Sequence, residues 1–126
     1  MSVPLKFSPG DYSIGLAHDL TAFKVKERAD PPVPVDGLTF GVATMSENSP
    51  HGGEMHPDGD EVLYLISGRA SVVFLDSPQA DIEMNAGEGL IVPRGQWHRV
   101  DILELCQIVY LTPGPNNEFR PLADDS

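Results

Sequence analysis

Every apolar run in this chain is short and is stopped by glycine or proline. Twelve glycines and twelve prolines punctuate the 126 residues, too many for a helix bundle and well suited to short strands joined by tight turns. Between them the apolar positions alternate or form brief β-branched stretches. Phe23 and Val25 alternate with Lys24 and Lys26, and Leu38, Phe40 and Val42 share one face of Gly37–Met45, both strand patterns. Glu61–Ile66 and Ala70–Leu75 flank Gly68 and read as a hairpin with its turn at that glycine. Leu90–Val92, Trp97–Asp101 and Leu103–Leu111 complete the set. The last is almost unbroken and fits a central strand or one covered by a partner subunit. No amphipathic helical period lies between these runs, so the expected architecture is an antiparallel sandwich or barrel. Residues 1–15 read as irregular, Asp30–Pro34 as an extended connection and Asn116 onward as a polar, acidic tail. The expected barrel core is then about 17–112, within one domain.

Charge removes several classes of partner. Eight Lys and Arg stand against 19 Asp and Glu, a formal net charge of -11, whereas nucleic acids and anionic membranes call for a basic footprint. No apolar run approaches a membrane span of roughly 18 residues, and the opening residues lack a signal-peptide core. Cys106 is the single cysteine, so neither an internal disulfide nor a thiolate zinc site is available. The composition fits a cytoplasmic protein.

Chemistry concentrates in two stretches. In His51-Gly52-Gly53-Glu54-Met55-His56, Glu54 and His56 are two apart and share a face in an extended chain. The Pro57-Asp58-Gly59-Asp60 turn allows Glu61 to return beside them. In Gly87–His98, a turn at Pro93-Arg94-Gly95 delivers His98 to the start of a strand. Two imidazoles and one or two carboxylates then converge, a donor set suited to a first-row divalent ion (Fe, Mn, Zn or Ni). It is too nitrogen-rich for a calcium cage. Asp58 and Asp60 are ordinary turn residues, and His51 is a reserve ligand in a glycine-flexible loop. No Gly-x-Ser-x-Gly elbow precedes either cluster.

These stretches resemble the two motifs of the cupin superfamily. The first runs Gly, five residues, His-x-His, three or four residues, Glu, six residues, Gly; this chain has Glu54-Met55-His56, four residues, Glu61, six residues, Gly68. The second runs Gly, five residues, Pro-x-Gly, two residues, His, three residues, Asn; here it is Gly87, five residues, Pro93-Arg94-Gly95, two residues, His98. Asn48, Glu54 and Ile102 replace the first motif's Gly, its first His and the second motif's Asn. The resemblance implies an all-β jelly-roll barrel of one domain, with His56, Glu61 and His98 as metal ligands. Glu54 is either the fourth ligand, favouring Mn or Fe(II) over Cu, or a general base beside the metal. It further implies a small organic ligand or substrate at the barrel mouth, with oxygenase, isomerase or lyase chemistry unresolved. The rival expectation is a non-catalytic binder or sensor whose metal, if any, is structural. The resemblance also implies a homodimer, built on Leu103–Leu111 and the strand near Thr21–Lys26.

Overall fold

The computed structural model describes residues 3–29 and 31–122. Nine strands appear in chain order: β1 (Tyr12–Ala17), β2 (Ala22–Lys26), β3 (Gly37–Met45), β4 (Gly53–Met55), β5 (Glu61–Phe74), β6 (Ile82–Asn85), β7 (Gly89–Val92), β8 (His98–Gly114) and β9 (Glu118–Arg120). There is no helix among the described residues, and so none long and apolar enough to cross a membrane. All pairings are antiparallel, in one curled sheet that forms a half-barrel.

Two long strands organise this sheet. β5 pairs with β8 from Val62↔Leu111 to Phe74↔His98, while β7 borders the first part of β5 and β6 the last. β3 borders the last part of β8 and β4 its first residue, and β1, β2 and β9 extend the two wings. Inward side chains of both wings bury Leu63, Leu65, Val72, Val92, Cys106 and Ile108 against one another, the alternation expected of sheets with one face on a core.

The expected hairpin at Gly68 is instead a bend inside one 14-residue strand. The pairing with β8 slips register between Leu65 and Ala70, the signature of β-bulges that bend a strand without reversing it. Gly68 sits at φ +86°, and a Cβ there would collide with the Leu105 carbonyl oxygen of the facing strand. A glycine between two β-rich runs marks a turn or a bulge equally well; the close approach of β8 decides it. The Cys106 Sγ–H lies 3.1 Å from the Arg69 carbonyl and 2.9 Å from that of Glu104, so its thiol serves carbonyls at the slipped register. His98–Asp101 and Leu103–Leu111 likewise belong to one 17-residue strand, with Trp97 just before it.

The bend makes the interior. Thirteen residue steps of straight strand cover roughly 43 Å, yet His98, paired opposite Phe74 at one end of β5, has Nε2 3.0 Å from Glu61 Oε1 at the other. The two wings therefore fold over each other, and their facing ends meet.

The strands also reach beyond 17–112. Tyr12–Ala17 pairs with β2 and β3 instead of lying irregular, its alternation having been too brief to stand out among flanking Pro and Gly. Glu118–Arg120 adds to β4 where a tail was expected; its polar residues suit a short edge strand. Ile82–Asn85 is a further strand, whose alternation of Ile82 and Met84 with polar residues spans only four positions. Residues 123–126 of the expected tail, and Asp30 of the expected connection, lie outside the described residues.

Candidate metal centre

Each member of the site is delivered by a different piece of local structure. Glu54 stands in the middle of β4, paired opposite His98. His56 follows β4 directly, and its carbonyl accepts a 3.0 Å bond from the Gly95 N–H, tying the two turns together. Gly95 has φ +77°, a conformation that suits glycine. Glu61 opens β5 and His98 opens β8. Asp58 accepts from Asn116, and Asp60 accepts from the Arg94 N–H at 2.8 Å. Both act in turns and stand apart from the cluster.

The structure brings Glu54, His56, Glu61 and His98 together, with one donor atom from each within 4.8 Å of every other. His98 Nε2 lies 3.0 Å from Glu61 Oε1 and 3.5 Å from Glu54 Oε1, and His56 Nε2 lies 3.2 Å from Glu61 Oε2 and 3.7 Å from Glu54 Oε1. An ion held at 2.0–2.2 Å by nitrogen and oxygen sets neighbouring donors roughly 3–3.6 Å apart, so the spacing fits.

The ring tautomers fit as well. His98 Nδ1 lies 3.0 Å from the Gln96 carbonyl oxygen, and His56 Nδ1 lies 2.9 Å from Asn117 Oδ1. Both partners are acceptors, so each Nδ1 carries a proton, and each ring that gives up its Nε2 proton turns a lone pair into the cluster, the arrangement found behind metal-bound histidines. His56 Nε2 is buried 3.2 Å from Glu61 Oε2 without a well-directed hydrogen bond, a donor atom incompletely satisfied by its neighbours. Glu61 is fixed in turn by the Thr112 hydroxyl, which donates to Oε2 at 2.6 Å.

Without a metal the four groups hold one another charged. Burial opposes the charged form of both imidazoles, but hydrogen bonds and charge from Glu54 and Glu61 outweigh it, pushing His56 up to about 10 and His98 to about 9. Burial would likewise raise both carboxylates; the two histidines overcome it, holding Glu54 at about 2 and Glu61 below its ordinary range. The cluster is a pocket of concentrated negative charge that demands either two protons or a cation.

His51 stays outside this set. Its Nε2 is 3.9 Å from Glu54 Oε2, its ring rests against Phe119 with centroids 5.4 Å apart, and its Nδ1 is buried without a hydrogen-bond partner. It lines a cavity of about 220 Å³ onto which Glu54, Glu61 and Thr112 also open, with Met45, Ile108 and Tyr110 among the remaining walls. That is room for roughly seven waters at their liquid volume. Thr112 and Asn117 were missed from the sequence, since they reach Glu61 and His56 across 51 and 61 positions with no motif marking them. His18 lies far out on the surface, its Nε2 2.9 Å from Asp36 Oδ1.

Residues 41–104, about half the chain, match the family model described as Cupin domain. No curated protein matches the chain. Among solved structures, a cupin-2 domain containing protein from Shewanella frigidimarina is 24% identical with a TM-score of 0.53, the match covering 65% of this chain and 76% of that one. A protein from Neisseria meningitidis is 23% identical with a TM-score of 0.53, covering 65% and 80%. Oxalate oxidase in complex with the substrate analogue glycolate is 20% identical with a TM-score of 0.54, covering 66% of this chain and 46% of that one. These likenesses concern the fold.

Proposed function

The chain belongs to the cupin family, and from that premise we propose that it holds one divalent transition metal through His56, Glu61 and His98, with Glu54 as a fourth donor, and receives a small organic molecule beside it. The observation that carries this reading is the buried four-donor cluster with both ring tautomers already set by Gln96 and Asn117. A bound divalent ion there supplies Lewis-acid polarisation of a carbonyl or oxyanion, or dioxygen chemistry if it is Fe(II). The chain's own residues do the rest. Thr112 fixes the Glu61 carboxylate, and Glu54, the most exposed of the four, is the group best placed to exchange between ligand and general base.

A second reading, binding without turnover, has its own support. Glu54 Oε1 lies within 3.7 Å of both imidazoles, and a Glu54 committed to the metal leaves no carboxylate at the centre to serve as a base. Protein purified without chelator is expected to carry about one first-row metal per chain. Metal that is sub-stoichiometric, and no lower in a His56→Ala, His98→Ala double variant, would sink the metal-centre reading. A small molecule that raises the melting temperature and is recovered unchanged after incubation with the loaded protein decides for the binder.

The homodimer is also a proposal, supported by the outer sheet face. The pairing registers place Ile14, Phe40, Leu111, Val62 and Ile91 side by side across β1, β3, β8, β5 and β7. Phe40 and Val62 are each 37% exposed and Ile91 65%. An uncharged apolar row on a chain of net charge -11 is a surface through which two copies can approach with least repulsion. Light scattering is expected to give twice the chain mass, falling to the single mass in a Phe40→Glu, Ile91→Glu variant; a monomeric mass for the unaltered protein rejects the dimer.

A further inference from the structure

Beside the cavity at the metal centre lies a second cleft of about 520 Å³. The two share Ser49, His51 and Val100, so they lie side by side. The cleft is lined by Arg99 and Arg120, two of only eight Lys and Arg in the chain. Arg99 directly follows His98 at the start of β8, and Arg120 closes β9 with its guanidinium 4.1 Å above the centre of the Trp97 ring. A strand that brings a metal-site residue and one that borders Glu54 each also bring a cation to the same opening.

Both guanidiniums keep donors to spare. Arg99 uses Nε and Nη2 on Asp101, at 3.0 and 3.5 Å, and Arg120 uses Nη2 on Asp76. A guanidinium has five N–H groups, so among the described residues Arg99 Nη1 and Arg120 Nε and Nη1 have no side-chain acceptor. Asp101 and Asp76 each balance one guanidinium, so what the cleft offers is the spare N–H donors of two fixed guanidiniums on a molecule otherwise strongly negative. Those unused N–H groups are donors only, suited to the oxygens of a carboxylate or phosphoryl group.

We infer that this cleft is a tail subsite for an anionic group, and that the ligand is a small organic acid with two anionic ends, one at the metal centre and one between Arg99 and Arg120. This rests on the metal-centre reading for the first end only. Such a ligand would place a compact head beside Glu54 and Glu61, cross the boundary at Ser49, His51 and Val100, and set its charged tail in the wider cleft.

Calorimetric titration of metal-loaded protein with butyrate, succinate and glutarate tests the inference. A dicarboxylate is expected to bind at least about tenfold more tightly than butyrate, the yield of one charge-assisted hydrogen-bonded contact. In an Arg99→Gln, Arg120→Gln variant that advantage is expected to shrink to within about threefold, with butyrate affinity and metal content unchanged. Equal affinity for butyrate and both dicarboxylates, or a preference that survives the double variant, overturns the subsite. A 3-phosphonopropionate arm identifies the tail: tighter binding than succinate assigns a phosphoryl group, weaker binding a carboxylate. Metal content and titrations of metal-free protein on the same samples separate the two readings. A protein that takes up no metal yet keeps the arginine-dependent preference retains the cleft and loses the metal centre.

Discussion

Glu61→Gln is expected to lower divalent-metal affinity by at least about 100-fold and to cost the metal-free protein about 3–5 kcal/mol near neutral pH. The substitution is nearly isosteric, so the loss is one of charge. Glu61 is 3% exposed and lies closer to both imidazoles than Glu54 does, at 3.0 and 3.2 Å, while accepting from Thr112. A glutamine there can offer only one oxygen, and its amide nitrogen must face a donor. Two buried imidazoliums then lean on Glu54 alone, at 3.5 and 3.7 Å. Glu54→Gln, at a side chain 23% exposed, is expected to cost less on both counts because water can partly replace the lost charge. Competition with a chromophoric chelator and urea unfolding of both variants measure the effects. Metal affinity in Glu61→Gln within threefold of the parent would reject Glu61 as a donor.

The metal-free protein is expected to lose stability steadily as pH rises above about 6.5, and the loaded protein is not. His56 and His98 are raised from 6.5 to about 10 and 9 in the folded state. Groups whose folded pKa is raised stabilise fully below their unfolded value and lose that contribution as pH climbs through the folded one. Glu54 is lowered from 4.5 to about 2, so its contribution is complete above 4.5 and disappears as pH falls toward 2. The metal-free optimum therefore lies between about 4.5 and 6.5. Each tenfold change in proton affinity is about 1.4 kcal/mol, and the partners share the same contacts, so the alkaline loss is of order several kcal/mol. A bound cation takes the place of the two protons, so loading near pH 7 releases about two protons per chain and removes the alkaline slope. Melting curves from pH 5 to 10, with chelator and with metal, give the comparison; parallel curves would show that the histidines are not charged in the metal-free fold.

The part of the site legible in sequence is the part built by turns. Glu54, His56 and Glu61 are joined by seven consecutive residue steps through Pro57–Asp60, and short spacing with turn chemistry determines where such side chains point. The same holds for Pro93–His98. The residues that hold those side chains in place were not legible, because Thr112 and Asn117 arrive through sheet pairing and the return of the chain beside β4, and pairing register leaves no mark in either segment alone. The strand inventory shows the same division. Alternation identified β2, β3 and the two parts of β5, but the turn expected at Gly68 is a bend whose cause, the Leu105 carbonyl, is 37 positions away. Arg120 fell in a stretch expected to be tail, so the second cleft had no sequence signal at all.

The bend in β5 and β8 has a mechanical consequence. Two long strands bent together form a pair of tongs, with Glu61 at one tip, His98 at the other, and Glu54 and His56 beside them. In the metal-free molecule the tips are closed by proton-mediated contacts that weaken with pH; a shared ion would act as a clasp across them. Donors from both tips on one ion would tie the wings together, so bound metal is expected to slow their separation, and the rate at which a chelator strips the metal measures that restraint.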